Sequence, residues 1–410
     1  MKSLLVASFL LASLTVNAQP KTLEEIVLFG NTRTKRDIIL RELRLYEGGP
    51  WTLHNLSAER AWLLRQDFLK RIEFQIKPGS TVSQSVLMLI VQEKGMISAS
   101  PILSNQDVYG WYAGTGLTFR NVFGYRNRID LIAQLGGLKH FEFRLSNPWI
   151  FRSLRLFAEF RLYHTSFRYR FTDFPSSFEE RDTGALLTVG KGIGRSFQIG
   201  LRSGFERVWT ENPDITVSSG HSDRIFILEP FLSYDSRDWP LYPKYGFFLQ
   251  AWVRRFDIER GFRPERIGLD IRAYTPAYRE NILAFQTMLE ISHGTVPVYK
   301  RIHIGGGRTI RGFSTGDLSG ENSALVSIEY RIPVFYIRNP AAGLHAGYAL
   351  VLFSDMASTW YRIADWTPRD IRACVGLGVH AIWDHFVIRG EYGHRGKGWG
   401  FINVGTGVKF

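Results

Sequence analysis

One cysteine in 410 residues excludes a disulfide scaffold and a zinc site built on thiolates. Long apolar runs are also scarce. Beyond residue 20 no stretch approaches the roughly 18 uninterrupted apolar residues of a membrane helix, and the mean hydropathy is −0.10. Blocks of like charge are missing. The net charge of +13, from 51 Lys+Arg against 38 Asp+Glu, is spread singly, without a nucleic-acid motif, so no nucleic-acid partner is expected. The 39 glycines follow no triplet period, which excludes collagen. What the chain does have is 45% apolar and 14% aromatic residues, too much of both for disorder. One membrane class survives these absences. The strands of a β-barrel alternate apolar and polar residues, which cancel in any window average.

Residues 1–18 read as a secretory signal peptide. Lys2 supplies the positive start, Leu4 to Val16 the apolar stretch, and Val16-Asn17-Ala18 the small-residue cleavage site. Residues 22–95 then follow a β-α-α-β-β order. Leu23 to Phe29 is strand-like. A helix is expected over Lys35–Leu43 with Thr34 as its cap, and a second one with Ser57 as its cap. Two strands follow, over Arg71–Ile76 and Ser85–Gln92. This order and the phrase EIVLFGNTRTKRDIILREL resemble a POTRA domain, the periplasmic module of the BamA-type superfamily. The resemblance implies a docking module for client chains, and physics adds that edge strands can be augmented by an extended peptide.

Residues 96–410 carry period-two patterning. Phe141, Phe143 and Leu145 alternate with Glu142 and Arg144; Val326, Ile328, Tyr330 and Ile332 alternate with Ser327, Glu329 and Arg331. About sixteen such segments run from 97–104 to 398–410, and an even number suits a bacterial single-chain barrel. The fold class expected is therefore a sixteen-stranded antiparallel transmembrane β-barrel behind one small N-terminal domain. Aromatics near segment ends (Trp111, Tyr112, Trp149, Phe151, Trp239, Tyr242, Trp360, Trp383, Trp399) fit interfacial girdles. Pro240 and Pro243 put 235–246 off the strands, as a turn at the membrane interface. The connections 166–180 and 293–320 are expected at the outer face or folded in from it.

Several phrases in order resemble the BamA, TamA and two-partner-secretion superfamily: LTFRNVFGYRNRIDL, FEFRLSNPWIF, YDSRDWPLYPKYGFF at 234–248, GGGRTIRGF at 305–313, EYRIPVF at 329–335, FSDMASTW at 353–360, and the terminal Phe410. The resemblance implies a non-enzymatic outer-membrane assembly or translocation factor. It would receive unfolded or secreted clients through 22–95, lie among outer-membrane lipids including lipopolysaccharide, and work with periplasmic chaperones or accessory lipoproteins. It also implies that Arg311, beside Gly312 and Phe313 in loop 293–320, latches inside the lumen onto Asp355, two residues past Phe353. Alternation points Glu329 and Glu391 inward as further partners. Where the family often has Asp-x-Gly, this chain has Asp355-Met356-Ala357, which puts the backbone there in question.

Further readings concern the ends of the sheet and competing chemistries. Pro101 in the first strand and Gly400, Gly405 and Gly407 in the last weaken their pairing, which suggests a lateral seam. Phe410 ends the last strand as a terminal signal. Gly312-Phe313-Ser314-Thr315-Gly316 matches a nucleophile elbow, so an outer-membrane lipid hydrolase using Ser314 is the alternative, beside a passive porin. The glycine surroundings of Ser314 read as loop rather than strand and helix. No metal and no cofactor are expected, since the ten histidines form no ligand pair on a helix.

Overall fold

The computed structural model of the chain describes residues 21–106, 108–150, 154–170, 176–339, 344–383, 386–396, 400–407 and 409–410. The segment 1–18 expected as a leader, Phe151 and Trp399 lie outside the described residues.

The N-terminal unit comprises β1 (Thr22–Phe29), α1 (Arg36–Leu40), α2 (Leu53–Leu64), β2 (Leu69–Pro78) and β3 (Gln84–Glu93). The sheet order is β1-β3-β2, with β1 parallel and β2 antiparallel to the central strand. Leu87 and Leu89 on β3 meet Leu23, Ile39, Leu63 and Ile72, all fully or nearly fully buried. Both helix starts differ from expectation. Thr34 does not cap α1: its backbone N–H donates to Glu93 at 2.7 Å and its hydroxyl accepts from Asn121, so tertiary contacts take both groups. The helix is one short turn after Lys35. The second helix begins earlier than Ser57, because Thr52 accepts from the Asn55 N–H, and Ser57 lies inside it.

The barrel follows as β4 (Ile97–Gln106), β5 (Gly110–Arg120), β6 (Arg128–Gly136), β7 (Leu138–Asn147), β8 (Leu156–Tyr169), β9 (Phe178–Ile193), β10 (Phe197–Thr210) and β11 (Ser222–Asp235). It continues through β12 (Gly246–Ile258), β13 (Glu265–Pro276), β14 (Ile282–His293), β17 (Asn322–Asn339), β18 (Leu344–Trp360), β19 (Arg372–Ile382), β20 (Val387–His394) and β21 (Phe401–Thr406). Two short strands between β14 and β17, β15 (Ile302–Ile304) and β16 (Leu318–Gly320), form a hairpin of their own. The sixteen long strands form one antiparallel sheet running from β4 to β21 in chain order. Strands β8 and β9 reach Tyr169 and Phe178, so both ends of the stretch 166–180 are strand rather than connection.

Burial inverts the rule of soluble proteins, as a barrel in lipid requires. On β7, Phe141 is 45% and Leu145 37% exposed while Glu142 is 5% exposed. Glu142 receives Arg144 at 2.5 Å and Arg161 at 2.6 Å. Glu229 is likewise shared by Arg202 and Arg254. These two inward carboxylates are thus paired, which offsets their desolvation. The aromatic ends divide. Trp111 and Trp383 face outward. Tyr112 and Tyr242 are instead buried, Trp239 packs in the cluster around Tyr242, and Trp149 lies under the guanidinium groups of Arg41 and Arg155.

Ion pairs clamp the N-terminal unit to one rim. Arg126, from the β5–β6 turn, bonds Glu42 and donates to Gln66 at 2.7 Å. Arg195, from the β9–β10 turn, donates to Glu59 at 2.5 Å and to the Glu42 carbonyl at 2.9 Å.

Candidate functional site

The lumen holds a charge cluster fed by three segments that leave the wall. The first is loop 293–320. A 3-10 turn at Val298–Lys300 follows β14, and the hairpin β15–β16 carries the tip 305–317 into the barrel. Ile302, Ile304, Ile310 and Phe313 pack on the inward residues Leu325, Phe353, Ala357 and Cys374. The base of the loop grips the opposite wall: Lys300 donates to Glu206 at 2.8 Å and Tyr299 to Asp223 at 2.5 Å.

This scaffold buries Arg311 completely. Its Nε donates to Asp355 Oδ2 at 2.8 Å and its Nη2 to Oδ1 at 2.9 Å, a two-pronged grip that only a guanidinium can make. The Arg311 backbone N–H adds a third bond to Asp355 at 3.0 Å. Its Nη1 donates to Glu329 at 2.6 Å and to Glu391 at 2.7 Å. The ring of Phe353 lies 3.5 Å beneath the guanidinium carbon and covers Gly376, where a Cβ would collide with it. Gly312 has φ +82°, a conformation costly to residues with a Cβ. Ala357 sits in regular strand opposite Leu325 and is not among the positive-φ residues, so alanine fits there.

The cluster extends further than sequence reasoning reached. Arg331 donates to Glu329 at 2.8 Å, and Arg389 donates to Glu391 at 2.9 Å and to the Gly307 carbonyl at 3.0 Å. Each Arg stands two residues from its Glu on the same strand face, so alternation alone could have paired them. His380 shares Glu391 at 3.2 Å. Together Arg311, Arg331, Arg389 and Lys409 set four cations against the three carboxylates of Asp355, Glu329 and Glu391.

The second segment is the turn 236–245. Its placement corrects the expectation of a simple interfacial turn. Trp239, Leu241 and Tyr242 tuck under the barrel against Ala349, Ile382 and Val387. The Tyr242 hydroxyl lies 3.2 Å from His380 Nδ1, and its ring is 4.7 Å from the Arg331 guanidinium. The residue before Pro243 thus reaches the far wall.

The third segment is the C-terminus, where the structure again departs from expectation. The last strand ends at Thr406, and Gly407, at φ +83°, breaks its direction. Lys409 donates to Ser327 at 2.5 Å and meets Asp355 at 2.7 Å. Phe410 is wholly buried beside Tyr274 and Ala284, with its carbonyl accepting from Arg331. Phe410 is therefore a lumen residue, because the tail finds charge and aromatic partners inside that a lipid-facing end would lack. Gly400 and Gly407 flank β21, and Gly405 lies within it. Pro101 is exposed on β4, opposite Thr115. Among the described residues no ladder joins β21 to β4, although the two edges lie side by side.

Ser314 lies in the loop tip, where its N–H donates to Asp317. Asp355 is engaged by Arg311 and Lys409, and His380 by Tyr242 and Glu391. These contacts do not assemble a triad on Ser314.

A family model described as the Omp85 superfamily domain matches residues 121–395. The chain is 21% identical over 379 residues to the outer membrane protein assembly factor BamA of Nitratidesulfovibrio vulgaris, covering 87% of this chain and 46% of that protein. It therefore spans less than half of that relative's length. Among solved structures, BamA of Haemophilus ducreyi lacking POTRA domains 1–3 superposes with a TM-score of 0.62 at 15% identity, covering 94% of this chain and 84% of that one. CdiB of Escherichia coli superposes with a TM-score of 0.66 at 13% identity, covering 95% of this chain and 76% of that one.

Proposed function

The chain belongs to the Omp85 superfamily, and from that premise we propose that it inserts polypeptide clients into the outer membrane through the seam between β4 and β21. It is a barrel of the bacterial outer membrane. The observation that carries the reading is the contrast between wall and lumen. Loop 293–320, the turn 236–245 and the tail 409–410 converge on one buried cluster, whereas among the described residues β21 and β4 abut without a ladder. A client would have to clear three buried segments to pass along the lumen. At the seam it meets strand edges whose unpaired backbone groups can template a new strand.

Residues 22–95 would serve as a periplasmic POTRA-like receiver for unfolded or secreted clients, with chaperones or lipoproteins beside it. Their sheet leaves β1 and β2 at its edges. The β1 edge is partly capped, since Ile26 donates to Glu47 and accepts from Arg36. That favours β2 as the edge for strand addition. Arg311, Gly312, Phe313, Phe353, Asp355, Glu329 and Glu391 would act together as a latch that holds the loop while the seam works.

The test is a disulfide across the seam. A Cβ on Gly405 would stand 3.9 Å from Ser104 Oγ, within the reach of a disulfide. Ser104→Cys with Gly405→Cys, on a Cys374→Ser background, should block client insertion into proteoliposomes when oxidised and restore it on reduction. Undiminished insertion by the locked protein would refute the lateral route.

A further inference from the structure

A cleft of about 490 Å³ opens where α2 meets the β9–β10 and β11–β12 turns. Arg44, Arg65, Lys70, Lys94 and Arg195 line it, and Asp238 is the carboxylate on its wall. Asp238 is already occupied by the N–H groups of Lys244 and Tyr245. Arg195 is neutralised by Glu59 at 2.5 Å. The Arg44 guanidinium and Lys70 ammonium, both exposed, have no hydrogen bond or ion pair among the described residues. Arg65 lies 5.3 Å from the Trp62 ring centre and makes long polar contacts, 3.4 Å to the Asp235 carbonyl and 3.9 Å to its carboxylate. Its burial, more than the nearby Asp235 and Asp238, sets its pKa below the usual guanidinium value. The cleft therefore carries positive charge that its own walls do not balance.

Its apolar lining is of the interfacial kind. Trp62, Trp239 and Tyr245 border it together with Leu64 and Leu69, and Tyr245 is 51% exposed. An exposed Tyr beside unbalanced Lys and Arg suits the level of lipid headgroups, where an aromatic ring lies between acyl chain and water. The two turns belong to the barrel rim, and the N-terminal unit is fixed against that same rim by Arg126 and Arg195. A leaflet surrounding the barrel would place its headgroups at this height.

We infer that the cleft between α2 and the rim binds the phosphate headgroup of an anionic phospholipid, with Arg44, Arg65 and Lys70 on the phosphate and Tyr245 against the glycerol and upper acyl chain. The occupied cleft would tie the N-terminal unit to the leaflet as well as to the barrel. A phosphate monoanion fits two or three convergent cations better than a zwitterionic headgroup, whose ammonium would repel them.

The full chain is placed in phosphatidylcholine nanodiscs with or without phosphatidylglycerol, and retained lipid is read by native mass spectrometry after transfer to detergent. Phosphatidylglycerol should be retained over phosphatidylcholine. Arg44→Gln with Lys70→Gln should weaken that retention by roughly thirtyfold, given the contribution of each surface cation to anionic-lipid binding. Both residues are exposed, and an unchanged heat-dependent mobility shift on gels confirms that the variant is folded. Lys21→Gln with Lys77→Gln, on the same unit away from the cleft, should leave retention intact. Equal retention by the two double variants would overturn the site. So would saturation of the cleft by inorganic phosphate with no lipid preference, which would make free phosphate its ligand.

Discussion

Gly393 stands so close to Gly312 that a Cβ on Gly393 would lie 2.5 Å from the Gly312 nitrogen. The loop tip and the β20 wall therefore touch backbone to backbone. Gly393→Ala must push the tip off the wall, because no flexible side chain is there to yield. A Cβ on Gly312 would meet Gly393 at 3.1 Å and Cys374 at 3.2 Å, on top of the strain of its positive φ. Either substitution should raise the protease sensitivity of 305–317 in the folded barrel, with Gly393→Ala the stronger. Unchanged cleavage of the loop in Gly393→Ala would show that the contact does not hold the tip.

Arg311 and Asp355 should not behave as an isolated pair. Arg311→Ala strips a partner from three buried carboxylates, whereas Asp355→Ala leaves Arg311 with Glu329 and Glu391. Arg311→Ala should cost about 3–5 kcal/mol of stability, and Asp355→Ala less. The double variant should fall short of the sum, since the two share contacts. Arg311→Lys should recover little, because an ammonium cannot span both Asp355 oxygens. Urea unfolding in detergent reads all four, and strict additivity would show that the pair is uncoupled.

Lys409 meets the same Asp355 oxygen as Arg311 Nη2, at 2.7 Å and 2.9 Å. Lys409→Met removes one of four cations and leaves Ser327 without its 2.5 Å donor. A loss of about 1–3 kcal/mol is expected, the range for an unsatisfied buried polar group. A thermal unfolding temperature equal to that of the parent chain would place the tail outside the cluster's energetics.

The clamp on the N-terminal unit rests on Glu42 and Glu59, both nearly fully buried. Arg195→Ala leaves Glu59 buried without its guanidinium partner, which is more damaging than losing both. Adding Glu59→Gln should therefore restore part of the loss. Proteolysis of the segment 94–97 reports release of the unit, and no rescue by Glu59→Gln would argue against pairwise clamping.

How far the sequence could be read depended on whether a feature repeats. Phe141, Glu142, Phe143 and Arg144 state the strand period and the polarity of its two faces, and many segments repeat that statement, so strand number and sidedness followed from local alternation. Glu329 and Glu391 face the lumen for the same reason. Tyr242 and Phe410 carry no such signal. A turn marked by Pro240 and Pro243 looks the same whether it rests at the interface or folds under the barrel, and a terminal phenylalanine looks the same on either side of the wall. Thr34 misled because local capping chemistry was weighed without the distant partners, since Glu93 and Asn121 claim it across the fold, whereas Ser57 lost the cap to its near neighbour Thr52. Lys409 is a lone cation in sequence, and only the three-dimensional path of the tail gives it Asp355.

An even number of antiparallel strands returns the chain to the face it left. Strand β4 starts beside the N-terminal unit, β21 ends on that same face, and from there the tail enters the lumen. If β21 swings outward to admit a client, as proposed, Lys409 and Phe410 would be drawn off their partners. The bolt is mounted on the door: whatever frees the edge also unloads one of the two cations on Asp355, and the loop that descends from the opposite face feels that loss at Arg311 without any messenger between them.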